Sequence, residues 1–143
     1  EPWFDGIEPA LARGLMAIPG ARAVEFAHGV DSSSMRGSQH NDAWLPGDAE
    51  PVPEGAQTGQ ADGILGGRST SAPLRAKVHF KPPSSLPREQ FTLHLPSNQV
   101  RPLKVGGRHD PVIGPRAAPI VEAVAMLVIA DLGMLGGFIG EAE

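Results

Sequence analysis

One long apolar segment near the end of the chain, residues 116–135, constrains the fold more than any other feature. Its apolar residues, Ile120 and Leu127 among them, spread around more than one face of a helix, which is typical of a helix packed on several sides. Asp131 and Gly133 interrupt the run, so the pattern favours a buried helix over a membrane span. Such a helix needs more protein around it than the rest of this chain clearly supplies.

The remaining periodic segments predict one further helix and three strands. Apolar residues at Ile7, Leu11 and Leu15 have helical spacing, which predicts an amphipathic helix over residues 5–18 with Asp5 as its N-cap. Alternation of apolar and polar residues predicts strands at residues 21–28, 71–80 and 89–95. The order helix, strand, loop, strand, strand, helix indicates an α+β fold, in which an antiparallel sheet carries packed helices.

Two irregular regions complete this prediction. Residues 29–36 suggest a turn with a short helix, and the following stretch, residues 37–67, is rich in glycine and proline without a hydrophobic period. A loop of that length is usually functional or mobile, and we expect residues 43–61 to be a mobile loop. In the final helix, we expect Pro119 to lie in the first turn, where proline is tolerated.

Composition excludes several classes of site and partner. The chain has no cysteine, which rules out disulfides and thiolate metal sites, and the spacing of its histidines does not suggest a metal site. A net charge of −4 gives no sign of nucleic-acid binding. The absence of cysteine leaves the compartment open, with the cytosol as the default. The sequence opens without an initiator Met or a targeting segment and enters directly into a motif, so we expect a chain that begins in mid-protein.

Four stretches contain residues that could bind a ligand or act in catalysis, and two of them could bind an anion. In ILGGRSTS, residues 64–71, a glycine pair followed by hydroxyls offers backbone N–H groups to an anion, although a simple turn before a strand gives the same pattern. In FKPPSS, residues 80–85, Lys81 and the hydroxyls of Ser84 and Ser85 could hold a phosphate. The alternative there is a proline-stiffened loop with a solvated lysine.

The other two stretches are richer in titratable side chains. MRGSQHND, residues 35–42, could be the wall of a polar site, an interaction surface or a polar turn that opens the long loop. In GRHDPVIGPRAAPIVEA, residues 107–123, Arg108 could pair with a phosphate or carboxylate, and Asp110 could accept a proton or orient a ring nitrogen. Asp110 could equally be a cap or turn residue, and we interpret His109 as a structural, hydrogen-bonding histidine.

Taken in order, these stretches resemble the C-terminal part of the chorismate synthase family. The matching segments are EPWFDGIEPALARGLMAIPGARAVEF, MRGSQHND, ADGILGGRS, KPPSS and GRHDPVIGPRAAPIVEAVAMLVIAD, and the RHDP…PRAxPIVEA run is the most specific of them. The resemblance covers residues 1–143 and implies the C-terminal portion of a single domain. It also implies the family architecture, a layer of helices between antiparallel sheets, assembled as a homotetramer.

The resemblance implies a lyase of the shikimate pathway of aromatic amino acid biosynthesis. The reaction would be the anti 1,4-elimination of phosphate from 5-enolpyruvylshikimate 3-phosphate to give chorismate, with reduced FMN as cofactor. The resemblance implies a cytoplasmic flavoprotein linked to NADP. It leaves open whether the enzyme reduces its own flavin or depends on an outside reductase.

By the same resemblance, the flavin site would be divided among four of the quoted motifs. Arg108 would contact FMN, and Asp110 would lie at the N5 edge of the flavin and assist proton transfer there. Gly66 would approach FMN through its backbone. The segment at the FMN phosphate would be Lys81, Pro82, Pro83, Ser84 and Ser85, and a further backbone contact would come from Pro19 and Gly20.

The chain also departs from the family pattern. The two catalytic histidines of the family and most of its substrate-phosphate arginines belong to a part that this sequence does not contain, so we expect the chain alone to be inactive. Arg68 stands where isoleucine is usual, which puts the loop conformation there in doubt, and Val112 replaces a common cysteine, with no expected effect. Two alternatives stay open, a non-catalytic flavin- or anion-binding fragment and an unrelated structural α+β domain.

Overall fold

A computed structural model of the chain describes residues 3–41, 63–70 and 72–140, and the loop predicted at 43–61 lies outside them. The helices are α1 (Ile7–Met16), α2 (Gly37–His40) and α3 (Gly114–Leu135), with 3₁₀ turns at Trp3–Asp5, Gly29–Ser34 and Leu95–Ser97. The strands are β1 (Ala21–Phe26), β2 (Ile64–Leu65), β3 (Arg68–Ser69), β4 (Ala76–Phe80), β5 (Glu89–His94) and β6 (Gln99–Lys104). All three pairings, β1 with β4, β2 with β3 and β5 with β6, are antiparallel. The fold class is therefore α+β, as predicted.

The core lies where α1 and α3 meet the β1–β4 pair. Its buried residues are Leu11, Leu15, Ile18 and Ala21, and Leu15 has no exposed surface. Half-buried side chains from one face of α3 and from both strands pack against them, namely Val121, Val124, Ala125, Val128, Ile129, Val24, Phe26, Val78 and Phe80. The helices approach closely at Gly14, where an added Cβ would lie 2.8 Å from Cγ2 of Val128. The apolar stripe predicted for α1 is confirmed.

The predicted N-cap of α1 is wrong. Asp5 lies in the preceding 3₁₀ turn, and the N-cap residue is Gly6, which makes no side-chain hydrogen bond. A distant part of the chain binds the helix start instead, because the N–H of Ile7 donates to the carbonyl of Gly67 at 3.0 Å. That contact joins residues far apart in sequence, so a local capping pattern cannot reveal it.

The predicted position of Pro119 is also wrong. Helix α3 begins at Gly114, two residues before the predicted start, so the first-turn proline is Pro115 and Pro119 lies in the second turn. There its missing N–H leaves the carbonyl of Pro115 without its usual helical donor.

Helix α3 uses only one face to cover the core. Ala117 is its one buried residue, whereas Ile120, Leu127 and Met134 on other faces are more than half exposed. By length and composition alone, α3 is apolar enough to cross a membrane, a test that core helices of soluble proteins also pass. Its exposed faces agree with the prediction that it needs more protein around it than this chain supplies.

The predicted strands differ from the observed ones in extent and number. Strand β4 begins at Ala76, later than predicted, yet Val78 and Phe80 face the core as expected. The β5–β6 hairpin includes a strand that alternation did not predict, because Pro102 interrupts the pattern of β6. In this hairpin, Phe91 is opposite Pro102 and Leu93 is opposite Val100, which places all four on one face. That face is exposed.

Candidate functional site

Three of the quoted motifs meet at the C-terminal end of α1. Gly20, in the turn after the helix, has φ +91°, a conformation that favours glycine. Its carbonyl accepts a hydrogen bond of 2.9 Å from the N–H of Lys81. An added Cβ at Gly20 would lie 3.6 Å from Phe80 and 3.7 Å from Ile113. The Pro19–Gly20 turn, the start of the 81–85 segment and the end of the 107–113 segment are therefore neighbours.

The segment from Lys81 to Ser85 carries three side chains that can donate hydrogen bonds to a ligand. It directly follows β4 and has no regular secondary structure. Lys81 and Ser84 are exposed, and Ser85 is half-buried. Within the described part of the chain, none of these three side chains has a hydrogen-bond or ion-pair partner. The adjacent prolines Pro82 and Pro83 restrict the backbone, so an ammonium and two hydroxyls are presented at a low cost in chain entropy. This donor set suits a phosphate.

The three polar neighbours of the RHDP motif differ in their contacts with the described part of the chain. Nε2 of His109 lies 3.1 Å from the carbonyl oxygen of Gly106, the structural hydrogen bond that we expected. Oδ2 of Asp110 accepts a hydrogen bond of 2.7 Å from Nη1 of Arg116, in the first turn of α3. The exposed guanidinium of Arg108 has no hydrogen-bond or ion-pair partner in the described ranges, which leaves its donors available to a ligand.

The structure excludes one of the roles considered for Asp110, that of a helix cap. The N-cap of α3 is Ile113, which makes no side-chain hydrogen bond, so Asp110 does not cap the helix. It forms an ion pair with Arg116 instead, and in this pair the Asp110 side chain is 46% exposed and that of Arg116 71% exposed. Sequence reasoning missed Arg116, although the PRA tripeptide that contains it was part of the quoted motif. The available signal was the position of Arg116 in the first turn of the predicted helix, which begins a few residues after Asp110.

Gly66 lies apart from this cluster. Gly66 and Gly67 form a two-residue turn between β2 and β3 with φ +58° and +80°, as in a type I′ hairpin. Gly67 contacts the N-terminal end of α1, and the 10 residues of that helix place the turn about 15 Å from its other end. An added Cβ at Gly66 would meet no atom within 4 Å, so a ligand has open access to this backbone. Arg68 pairs with Leu65 in the hairpin, so the local loop conformation is a regular tight turn.

The MRGSQHND stretch forms a polar turn in its described part. It contains the single-turn helix α2, whose start is held by the N–H of Arg36 donating to Oε1 of Gln39 at 2.8 Å. The ring of His40 lies 6.3 Å from that of His28, centroid to centroid. Asp42 lies outside the described residues.

The other histidines bind neighbouring side chains. Nε2 of His79 lies 3.3 Å from Oε2 of Glu25, and Nδ1 of His94 lies 2.8 Å from Oγ of Ser97. In ranges 3–41, 63–70 and 72–140, no three histidine, aspartate or glutamate side chains are grouped so that they could hold a metal ion.

A family model and individual relatives all match this chain under one family name. A family model described as chorismate synthase matches residues 1–134. Proteins named chorismate synthase from Aeropyrum pernix and Methanocella arvoryzae are 45% and 41% identical over 94% and 96% of this chain. A third, from Chitinophaga pinensis, is 38% identical over 94% of it. The chain spans 35%, 36% and 39% of the lengths of these three relatives.

Proposed function

Because the chain belongs to the chorismate synthase family, we propose that it forms the C-terminal part of an enzyme that makes chorismate. The reaction is the anti 1,4-elimination of phosphate from 5-enolpyruvylshikimate 3-phosphate, in the shikimate pathway of aromatic amino acid biosynthesis. The observation that carries the proposal beyond the family is the junction at Gly20, whose carbonyl binds the N–H of Lys81 and beside which Ile113 lies, so that three of the four motifs assigned to the flavin site are neighbours.

The residues assigned to the flavin site, at this junction and at the separate Gly66 turn, have the chemistry that FMN requires. Lys81, Ser84 and Ser85 would hold the FMN phosphate through charge-assisted hydrogen bonds. Arg108, whose donors are unused in the described part of the chain, would bind the flavin, and the exposed backbone of Gly66 and of the Pro19–Gly20 turn would allow close approach. When bound, reduced FMN would supply electron density that helps phosphate to leave the substrate.

Asp110 would act as the acid–base group in the part of the active site that this chain contributes. Its carboxylate is half-exposed, and only Oδ2 is engaged by a described side chain, so it can accept and return a proton at the N5 edge of the flavin. Arg108 lies two residues before it in the same irregular segment. This spacing allows the two side chains to serve one face of a ligand.

The exposed apolar surfaces support a role as part of a larger protein. Large apolar side chains are exposed on the outer faces of α3, as at Leu127 and Met134, and on the β5–β6 hairpin, as at Phe91 and Val100. We propose that the remaining part of a complete enzyme, and its copies in a cytoplasmic homotetramer, cover these faces. The chain alone would then be inactive.

The proposed function is tested by phosphate release from the complete enzyme. With reduced FMN and 5-enolpyruvylshikimate 3-phosphate under anaerobic conditions, we expect phosphate and chorismate in equal amounts, and neither when the flavin stays oxidised. If the complete protein binds flavin but releases no phosphate, the enzyme proposal is wrong and a non-catalytic flavin- or anion-binding protein replaces it.

Lys81→Gln should weaken FMN binding by about 10- to 100-fold, because a hydrogen bond to a charged group contributes roughly 1.5–3 kcal/mol. The flavin Kd, measured by fluorescence titration of the complete enzyme, checks this. Lys77→Gln is the matched control, since Lys77 is an exposed lysine on β4, the strand that precedes Lys81, and lies outside the proposed site. An equal change in both variants would mean that only net charge matters, and no change at Lys81 would remove this residue from the site.

A further inference from the structure

The ion pair between Asp110 and Arg116 joins an irregular segment to a well-anchored helix. Residues 105–113 have no helix or strand, whereas Arg116 lies in the first turn of α3. The N–H of Arg116 donates to the carbonyl of Ile113 at 3.0 Å, and the next residue, Ala117, is 3% exposed. The backbone that carries the guanidinium is thus fixed by hydrogen bonding and by burial. The backbone that carries the carboxylate has no comparable support.

No other described side chain holds the carboxylate of Asp110. His109 is directed to the carbonyl of Gly106, and Arg108 forms no ion pair with Asp110. The single bond to Arg116 is 2.7 Å long and links two oppositely charged groups. Both side chains are solvent-exposed, so the bond contributes mainly the orientation of the carboxylate and little to the stability of the fold. Without it, the carboxylate could rotate about its side-chain torsions into several rotamers.

The bond also makes the two carboxylate oxygens different. Arg116 engages Oδ2, while Oδ1 has no partner among the described residues. A proton exchanged with a ligand would therefore use Oδ1. The guanidinium favours this arrangement because it is planar and always charged, and because little of its freedom is lost per hydrogen bond formed.

We infer that Arg116 is a positioning residue for the proposed reaction, which holds Asp110 through Oδ2 and leaves Oδ1 to carry the proton. This inference rests on the proposed function. Arg116 does not itself bind substrate or flavin in this assignment. Its loss should therefore lower the rate of the chemical step without weakening the binding of either molecule.

The test uses the complete enzyme with reduced FMN and 5-enolpyruvylshikimate 3-phosphate. Arg116→Gln should lower kcat by about 10- to 100-fold, which is the usual effect of removing a residue that holds a catalytic group in position. KM and the flavin Kd should change by less than about twofold, because the missing interaction acts only in the reaction step. Arg116→Lys should recover part of the lost kcat, and the control Arg75→Gln, at an exposed residue before β4, should leave kcat unchanged.

A double substitution separates positioning from general stability. If Arg116 acts through Asp110, adding Arg116→Gln to Asp110→Asn should lower kcat no further, whereas a purely structural role would lower it again by the same factor. A normal kcat in Arg116→Gln, or a parallel rise in KM and flavin Kd, would overturn the inference and leave the proposed function intact. If the unsubstituted enzyme released no phosphate, the proposed function would fail and this inference with it.

Discussion

Replacing Asp110 by asparagine is expected to lower the turnover of the complete enzyme by about 10²-fold or more, the usual cost of losing an acid–base group. Asparagine has nearly the same shape, and its amide oxygen can still accept the hydrogen bond from Arg116. It cannot exchange a proton near neutral pH. The loss should therefore appear in kcat, with the flavin Kd nearly unchanged.

Single-turnover phosphate release with reduced FMN measures this loss, and a flavin titration of the same preparation measures binding. Asp131→Asn serves as the control, since Asp131 is an exposed aspartate on α3 outside the proposed site. A fall in flavin affinity as large as the fall in kcat would assign Asp110 to binding and contradict the acid–base role. Unchanged kcat would remove Asp110 from the mechanism.

The largest effect on stability is expected from Leu15→Ala. Leu15 has no exposed surface and lies in the core between α1, α3 and the β1–β4 pair. Removing its side chain should lower the free energy of unfolding by about 2–5 kcal/mol, because apolar contacts are lost and the surrounding side chains only partly fill the cavity.

Urea denaturation of the complete protein, followed by circular dichroism, gives the change in unfolding free energy. The neighbouring Met16→Ala is the control, because Met16 is 44% exposed and surface substitutions usually change stability by less than about 0.5 kcal/mol. Similar shifts in both variants would show that the α1–α3 contact is not the core of the complete protein.

The sequence predicted those parts of the fold that depend on local periodicity. The stripe of Leu11 and Leu15, the strand at Val78 and Phe80 and the long apolar helix all depend on spacing along one segment. Contacts between distant segments were missed. The start of α1 depends on the carbonyl of Gly67, and no pattern around Asp5 contains that information.

The candidate site was predictable as a set of motifs but not as an arrangement. Lys81 and Gly20 lie in separate motifs, and only folding brings the N–H of one within 2.9 Å of the carbonyl of the other. The partner of Asp110 was missed because the pairing depends on where α3 begins. The roles of Arg108, Asp110 and Gly66 toward FMN stay predictions.

The β1–β4 pairing joins segments that are distant in sequence. Val24 is opposite Val78 in this pair, so the intervening chain forms one long closed loop. The entropy cost of closing a flexible loop grows only with the logarithm of its length, and doubling the length costs about 0.6 kcal/mol. The cost of closing the β1–β4 pair therefore depends only weakly on the number of residues between its strands. Outside the β2–β3 hairpin, which binds the start of α1 through Gly67, the intervening chain can lengthen or shorten during evolution with little cost to the core.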